Sequence, residues 1–462
     1  MINIDKKSTI NIRDKRITVI GLGISGKAAS ILANHLGAIV FASDISSTED
    51  VISNAMELMH DHHIATETGI HTQKIYNSDL WILSPGIPAN SKIVITALNH
   101  GIPIVSEIEF ASWYTKSQII AITGSNGKTT TTHILNQMFQ SKGIKCVMAG
   151  NIGLSFSKCV FQEILKPNEN LIYLIEISSF QLEFISIFCP SIAVYTNISE
   201  DHLDRHNSMK EYIRMKMRLV KNFKDNNTII FNEDDKILKA AFKNTTLKNI
   251  PFSIKSFNGT FCINDHALCK TSTKEPLITV KDLKLPGEHN LLNFLAAATC
   301  ADLYGINKKN IIKVLNIFDG VPHRIENVKT IKNVDYINDS KATNINSVIV
   351  AIKTYTKPVI LILGGYNKGA DFRLLIPHIK SNSVKTIITY GEAGEQIKTA
   401  IGDAVRSFFL FDLNSAVNQA HILAQPGDIV LLSPGCASFD QFSNFEDRGL
   451  FFKSIVNKLS RI

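Results

Sequence analysis

Gly124, Gly127, Lys128 and Thr129 fall in the spacing Gly-x-x-Gly-Lys-Thr. Those residue types together can hold a phosphate. Glycines let the backbone approach an anion and point its N–H groups at it. A lysine at this place reaches terminal phosphates, and the hydroxyl of the following threonine can ligate magnesium. The usual form of such a loop carries a further glycine upstream, where this chain has Ile122, so a plain tight turn ahead of a helix stays open as a reading. A second cluster, Gly21-Leu22-Gly23-Ile24-Ser25-Gly26, is a full G-x-G-x-x-G, and Asp44 follows near the place where an acidic residue meets a ribose. Its alternative is a glycine turn that only packs a helix on a strand. Glu176 closes an apolar run, and a carboxylate beside a phosphate loop is where magnesium is often held. The run Thr196-Asn197-Ile198-Ser199-Glu200-Asp201-His202-Leu203-Asp204-Arg205-His206 is polar and histidine-rich directly after another apolar run. Such a strand-end loop suggests a site, against the alternative of a surface loop.

These clusters need elements to hold them. Short apolar, β-branched runs at 17–20, 39–42, 80–83 and 102–105 read as strands, with helical spacing between them. The same alternation returns at 119–122, 146–148, 171–175 and 192–195, and again at 334–337, 359–363, 386–389 and 429–432. Polar groups sit at the strand ends: Ser84-Pro85-Gly86, Gly150-Asn151, Asp339-Ser340-Lys341 and Ser433 through Ser438. That placement is the ligand edge of parallel sheets. The fold class is therefore α/β in three domains, expected at 1–114, 115–320 and 321–462. The first and third are Rossmann-like and the central one resembles a phosphate-loop ATPase. Residues 228–281 shift to short strands and turns and suggest a β insertion. Residues 208–223 read as a basic helix, on which Lys216 looks like an ordinary solvated lysine.

Bulk properties narrow the classes. The chain has 462 residues, 45% apolar and 19% charged, with net charge +8, so large cores are available and global disorder is excluded. The basic residues form no stripe, and no nucleic-acid partner is expected. The seven cysteines form no C-x-x-C pair, which argues against a zinc ribbon or a disulfide framework. No apolar run is long enough to span a bilayer, and a cytoplasmic protein without membrane insertion is expected; a monomer is also expected, though no feature of the composition sets the oligomeric state.

Thr123-Gly124-Ser125-Asn126-Gly127-Lys128-Thr129-Thr130, Asp201-His202-Leu203-Asp204-Arg205-His206, His323-Arg324 and Asp339-Ser340-Lys341-Ala342-Thr343-Asn344 together resemble the Mur ligases of peptidoglycan synthesis. The shorter phosphate loop is the form that family uses. Glu176-Ile177-Ser178-Ser179-Phe180-Gln181-Leu182-Glu183 and the stretch from Ser433 to Phe445 are similar to the branch that adds D-glutamate to UDP-N-acetylmuramoyl-L-alanine. The Asp-Asn-Pro-Arg motif of the diaminopimelate-adding branch is absent.

The resemblance implies an ATP-dependent amide ligase that works through an acyl phosphate with two magnesium ions. It implies Lys128, His202 and Lys216 as catalytic, with Lys216 carbamylated. It implies ATP on Gly124 to Thr130, Asn290, Asn293, Arg324 and Asp339, and metal on Thr129, Glu176, His202 and Lys216. The UDP-substrate would meet Ile24, Ser25, Asp44, Ser84, Gly86, Asn151 and His202, and D-glutamate would meet Lys341, Ser438 and Phe445. After Asp44 this chain has Ile45-Ser46, where some relatives carry Thr-Arg beside the uracil. Two other readings compete. A folylpolyglutamate synthetase would not need the first glycine fingerprint or Ser84-Pro85-Gly86. A nicotinamide-dependent dehydrogenase would leave the phosphate loop unexplained.

Overall fold

The computed structural model describes residues 10–285, 287–367, 369–381 and 383–459, together with Ile2 and Ile4. Pro286 and Lys368 lie outside them. The chain divides into two compact units, Met1–Phe318 and Asp319–Ile462.

The first unit opens with five parallel strands: β1 (Arg16–Ile20), β2 (Ile39–Asp44), β3 (Ala65–Thr68), β4 (Leu80–Leu83) and β5 (Ile104–Ser106). Their order is β3-β2-β1-β4-β5, so the direction of winding reverses between β1 and β4. Crevices at such reversals are where open α/β sheets take ligands. The glycine cluster of residues 21–26 begins directly after β1. Helix Ile24–His35 crosses close to the strand end, and a Cβ on Gly26 would stand 1.7 Å from the Gly21 carbonyl oxygen. Only glycine permits that approach.

The same unit continues with a second parallel sheet. Its strands are β6 (Gln118–Thr123), β7 (Cys146–Gly150), β8 (Ile172–Glu176), β9 (Ile192–Tyr195), β10 (Thr228–Asn232) and β11 (Asn249–Phe252), in the order β11-β10-β9-β6-β8-β7. β4, β8, β9 and β10 are buried at every position, as expected for parallel strands covered on both faces. The expected β insertion over 228–281 needs correction. β10 and β11 extend the main sheet, with helix Lys236–Phe242 between them. Only β12 (Phe261–Asn264), β13 (Ala267–Lys270) and β14 (Pro276–Thr279) form a separate antiparallel sheet. Strands of four or five residues carry too little periodicity to tell these two fates apart.

One hydrophobic core runs beneath both sheets, joining Val19 and Leu32 to Phe156 and Tyr173. The buried Glu109 carboxylate adds a polar clamp. It accepts the N–H groups of Ser186, Ile187 and Phe188 and the Trp113 indole, at 2.7 to 3.0 Å. A buried charge with four donors is compensated, so it can hold the two sheets in register.

The second unit is one sheet: β15 (Glu326–Ile331), β16 (Val334–Asn338), β17 (Val359–Gly364), β18 (Val384–Tyr390), β19 (Ser407–Leu410) and β20 (Ile429–Gly435), in the order β15-β16-β20-β17-β18-β19. All pairings are parallel except β15 with β16. β15 escapes the sequence reading because it is a half-exposed edge strand without an apolar run, whereas β19, also half-exposed, carries the short apolar run Phe408-Phe409-Leu410 and is missed even so.

Candidate active site

β6 ends at Thr123, and the phosphate loop turns from it into helix Lys128–Ser141. Lys128 Nζ donates to the carbonyl oxygens of Gly124, at 2.8 Å, and Ser125, at 2.9 Å. The ammonium is thereby held across the mouth of its own loop. Asn293 braces the loop from helix Glu288–Leu303, its Oδ1 accepting the Thr131 hydroxyl at 3.3 Å. Asn290 lies one turn earlier on that helix and is half-buried.

Beside the loop, the buried carboxylate of Glu176 ends β8. Thr129 Oγ1 donates to its Oε2 at 2.8 Å, and Asn151 Nδ2 to its Oε1 at 2.7 Å. A hydroxyl and a carboxylate oxygen side by side suit a hard divalent cation. No group of three His, Cys, Asp or Glu that could hold a metal occurs among the described residues. Magnesium commonly completes its shell with water and phosphate oxygens, so this sparse donor set fits it.

Lys216 is the largest surprise. Helix Met209–Met217 turns it inward, and it is 2% exposed. Its Nζ donates to the Gly124 carbonyl at 2.9 Å, the oxygen that also receives Lys128. Burial drives its pKa well below the usual lysine value, and Lys128 adds to the effect, against the pull of Asp201 and Glu176. The reading of a solvated lysine is wrong, because Lys210 and Arg214 are the exposed charges of this helix and Arg218 lies past its end, while Lys216 turns inward. Tyr212, one turn earlier, lies with its ring 4.7 Å from Nζ. Its hydroxyl meets Ser125 Oγ at 2.9 Å, while Ser125 donates to the Ser199 carbonyl at 2.9 Å. Ser125 has only one hydroxyl proton, so Tyr212 is the donor to it.

The histidine-rich run sits at the rim. His202 is half-exposed, 3.5 Å from Asp201 and with its ring 4.8 Å from that of Phe180. Arg205 goes further than its place in the run suggested. Its Nε and Nη2 grip Glu183 at 3.1 and 2.8 Å, and Nη2 also donates to the Ile87 carbonyl at 2.8 Å. It thus ties the loop after β9 to the Ser84-Pro85-Gly86-Ile87 loop after β4.

At the first sheet edge, Asp44 accepts the N–H of Leu22 at 2.6 Å and of Ser46 at 2.8 Å. Ser84 Oγ donates to the Gly21 carbonyl at 3.2 Å. Ile24 is exposed and Ser25 half-exposed at the same edge, while Gly86 contributes its carbonyl to Arg205 at 3.4 Å.

In the second unit the candidates gather at the ends of the adjacent strands β16 and β20. Asp339 is buried, and Oδ1 accepts Ile325 N–H at 3.2 Å while Oδ2 accepts the Ser433 hydroxyl at 2.8 Å. Burial pushes its pKa up to about 7, although Ser433 and Arg324 oppose the rise. The turn carrying Arg324 is strained, with His323 at φ 65° and the β-branched Ile325 at φ 47°. Lys341 Nζ lies 5.6 Å from the Phe445 ring, and Ser438 is buried. Arg448 went unnoticed in the sequence. It is fully buried and donates to Ser340 Oγ and to the carbonyls of Ser340, Cys436 and Ala437, at 2.8 to 3.2 Å. It therefore joins the loop after β16 to the loop after β20. Nothing in its local pattern, an arginine on a C-terminal helix, marks that role.

Three family models match along the chain: the MurD N-terminal domain over residues 16–93, the Mur ligase middle domain over 122–301, and the glutamate ligase domain of Mur ligases over 323–436. A curated protein of Bacteroides thetaiotaomicron named UDP-N-acetylmuramoylalanine–D-glutamate ligase is 40% identical, covering 96% of this chain and 100% of its own. One of the same name from Chloroherpeton thalassium is 38% identical over 97% of this chain and 99% of its own. The chain belongs to the Mur ligase family. Its fold is also that of a UDP-N-acetylmuramate–alanine ligase of Thermotoga maritima, with a TM-score of 0.59 at 18% identity, covering 97% of this chain and 99% of that one. No helix among the described residues is long and apolar enough to cross a membrane.

Proposed function

We propose that this protein is an ATP-dependent ligase that joins D-glutamate to UDP-N-acetylmuramoyl-L-alanine in peptidoglycan precursor synthesis. The observation that carries this reading is the Glu176 carboxylate, gripped by Thr129 of the phosphate loop on one side and Asn151 on the other. The phosphate-binding residues and a muramoyl-side candidate meet on that one group.

In this reading a carboxylate oxygen of the alanyl substrate attacks the γ-phosphorus of ATP, and ADP leaves. The D-glutamate amine then attacks the acyl carbon, and phosphate leaves with the original carboxylate oxygen. Phosphoryl transfer between anions needs positioning and positive charge more than covalent help. Lys128 supplies charge at the loop mouth, and Gly124 to Thr130 offer N–H groups at a helix N-terminus. Thr129 and Glu176 would hold one magnesium ion, and His202 with Lys216 a second; bound there, the ions would neutralise developing phosphate charge. Lys216 suits carbamylation, because burial and the neighbouring Lys128 favour its neutral form, and only the neutral amine attacks carbon dioxide. The amine nitrogen bonds to carbon, a proton leaves the nitrogen, and a neutral amine becomes an anionic oxygen ligand.

Residues 1–114 take the UDP-substrate through Ile24, Ser25, Asp44, Ser84 and Gly86, with Asn151 and His202 contacting the muramoyl part. Residues 115–320 take ATP, with Asn290 and Asn293 on the adenine side. Residues 321–462 add Arg324 and Asp339 for ATP, and Lys341, Ser438 and Phe445 for D-glutamate. The protein acts as a cytoplasmic monomer. Phosphate release measured with ATP, UDP-N-acetylmuramoyl-L-alanine and D-glutamate, each omitted in turn, tests the reading. Release that needs all three supports it, and release indifferent to D-glutamate overturns it.

A further inference from the structure

A second polar cluster lies at the first sheet edge, and nothing above uses it. Ser43 on β2 and Glu67 on β3 are register partners, so their side chains share a face. Ser43 is fully buried, and its hydroxyl donates to Glu67 Oε1 at 2.7 Å. Thr72 donates to the same carboxylate from its N–H, at 3.0 Å, and its hydroxyl, at 2.6 Å. Burial would push the Glu67 pKa up, but the hydrogen bonds from Thr72 and Ser43 outweigh it and hold the group below the usual carboxylate range. Glu67 is therefore an ionised acceptor with no proton to give.

The consequence falls on His71. Its Nδ1 lies 2.7 Å from Ser43 Oγ. The single Ser43 proton is already committed to Glu67, so Nδ1 must be the protonated nitrogen and the donor. Burial holds the imidazole neutral by lowering its pKa, against the pull of Asp44 and Glu67. A neutral imidazole protonated on Nδ1 has a bare Nε2, an acceptor. No hydrogen bond to Nε2 is recorded among the described residues.

The surroundings fit a flat ligand. Three strongly exposed isoleucines stand at this edge: Ile24, the first residue of the helix after β1, at 77%, and Ile45 and Ile70, in the loops after β2 and β3, at 62% and 56%. The last two loops are tied together by Gly69 N–H donating to the Ser46 carbonyl at 3.1 Å. The loops after β1 and β2 are tied by Leu22 N–H and Asp44. Apolar side chains beside a fixed acceptor, past the acidic end of β2, are what a nucleobase needs.

We propose that His71 is the residue that selects uracil, its Nε2 accepting the N3–H of the base. The inference rests on the reading that this edge takes the UDP moiety. Cytosine presents an unprotonated N3 acceptor at that position and faces Nε2 lone pair to lone pair. The protein should therefore discriminate UDP from CDP, and the discrimination should reside in His71.

Calorimetric titration of the full chain with UDP and CDP, with and without saturating UDP-N-acetylmuramoyl-L-alanine, in the parent and in His71→Ala, tests this, with thermal unfolding of both as the control for folding. The parent is expected to prefer UDP to CDP by about tenfold or more, the worth of one good hydrogen bond and one avoided clash. His71→Ala is expected to lose about tenfold in UDP affinity with little change for CDP, so that the ratio collapses towards one. Ser43→Ala, which frees the tautomer, should lower the ratio part of the way. A His71→Ala protein that keeps the parental ratio, or loses UDP and CDP equally, overturns the role of His71. A parent whose UDP binding survives saturating UDP-N-acetylmuramoyl-L-alanine overturns the assignment of this edge as well, an outcome distinct from the other two.

Discussion

Replacing Lys216 by methionine separates stability from turnover. The side chain is 2% exposed, and methionine keeps most of its length and apolar stem. The Gly124 carbonyl loses one donor but retains Lys128 at 2.8 Å, so it is not orphaned. The lost hydrogen bond costs about 1 kcal/mol. Removing an amine whose charged form is penalised by burial and by Lys128 returns a similar amount. The net change in stability should be within about 1 kcal/mol, a shift in Tm of a few degrees at most. Turnover should respond very differently. On the proposed carbamylation, losing that anionic ligand and its electrostatic work at the reacting phosphate should cost about 10²–10³-fold in kcat, or roughly 3–4 kcal/mol. The assay is phosphate release at saturating ATP, UDP-substrate and D-glutamate, beside a thermal melt. Acetate or formate, small enough to enter the space vacated in Lys216→Ala, should restore part of the rate. A folded Lys216→Met protein with kcat within about threefold of the parent would refute the argument.

Three other substitutions probe separate parts of the account. Gly127→Ala would place a Cβ 2.2 Å from Asn293 Oδ1 at a residue with φ +83°, so ATP-dependent turnover should fall at least about 100-fold while circular dichroism stays native. Arg205→Lys keeps the charge but loses the fork that grips Glu183 and Ile87; KM for the UDP-substrate should rise about tenfold with kcat nearly unchanged, and an unchanged KM would show the link to be idle. Asp339 has a folded pKa of about 7, raised from 3.8, so the folded state binds a proton that the unfolded state has released. Its contribution to stability is complete below pH 3.8 and is lost as pH rises towards 7, and Asp339→Asn should flatten that part of the stability profile measured by urea unfolding.

The parallel strands were legible because burial on both faces writes them as short β-branched runs, as in β4, β6 and β8. Their strand-end clusters were legible for the same reason: Asp44, Glu176 and Asp339 each interrupt an apolar run at the edge where ligands sit. The edge strand β15 left no such trace, β19 left only the short run Phe408-Phe409-Leu410, and the short strands between 228 and 281 could not be divided between two sheets by pattern alone. Lys216 misled because a sequence shows the charges around a residue but not which face of a helix turns inward. Arg448 and the Ser43–Glu67–His71 cluster were invisible because their meaning comes from long-range pairing. Ser43 meets Glu67 only through the β2–β3 register, and Arg448 meets Ser340 across 108 residues of chain.

The central claim is that the substrate carboxylate is phosphorylated before the amine attacks. UDP-N-acetylmuramoyl-L-alanine labelled with ¹⁸O in its free carboxylate tests this directly, when turned over with ATP and D-glutamate and the released phosphate is analysed by mass spectrometry. The account predicts that each phosphate carries one ¹⁸O atom, taken from the carboxylate as the acyl phosphate is cleaved by the amine. Unlabelled phosphate, released alongside the amide product, would contradict it.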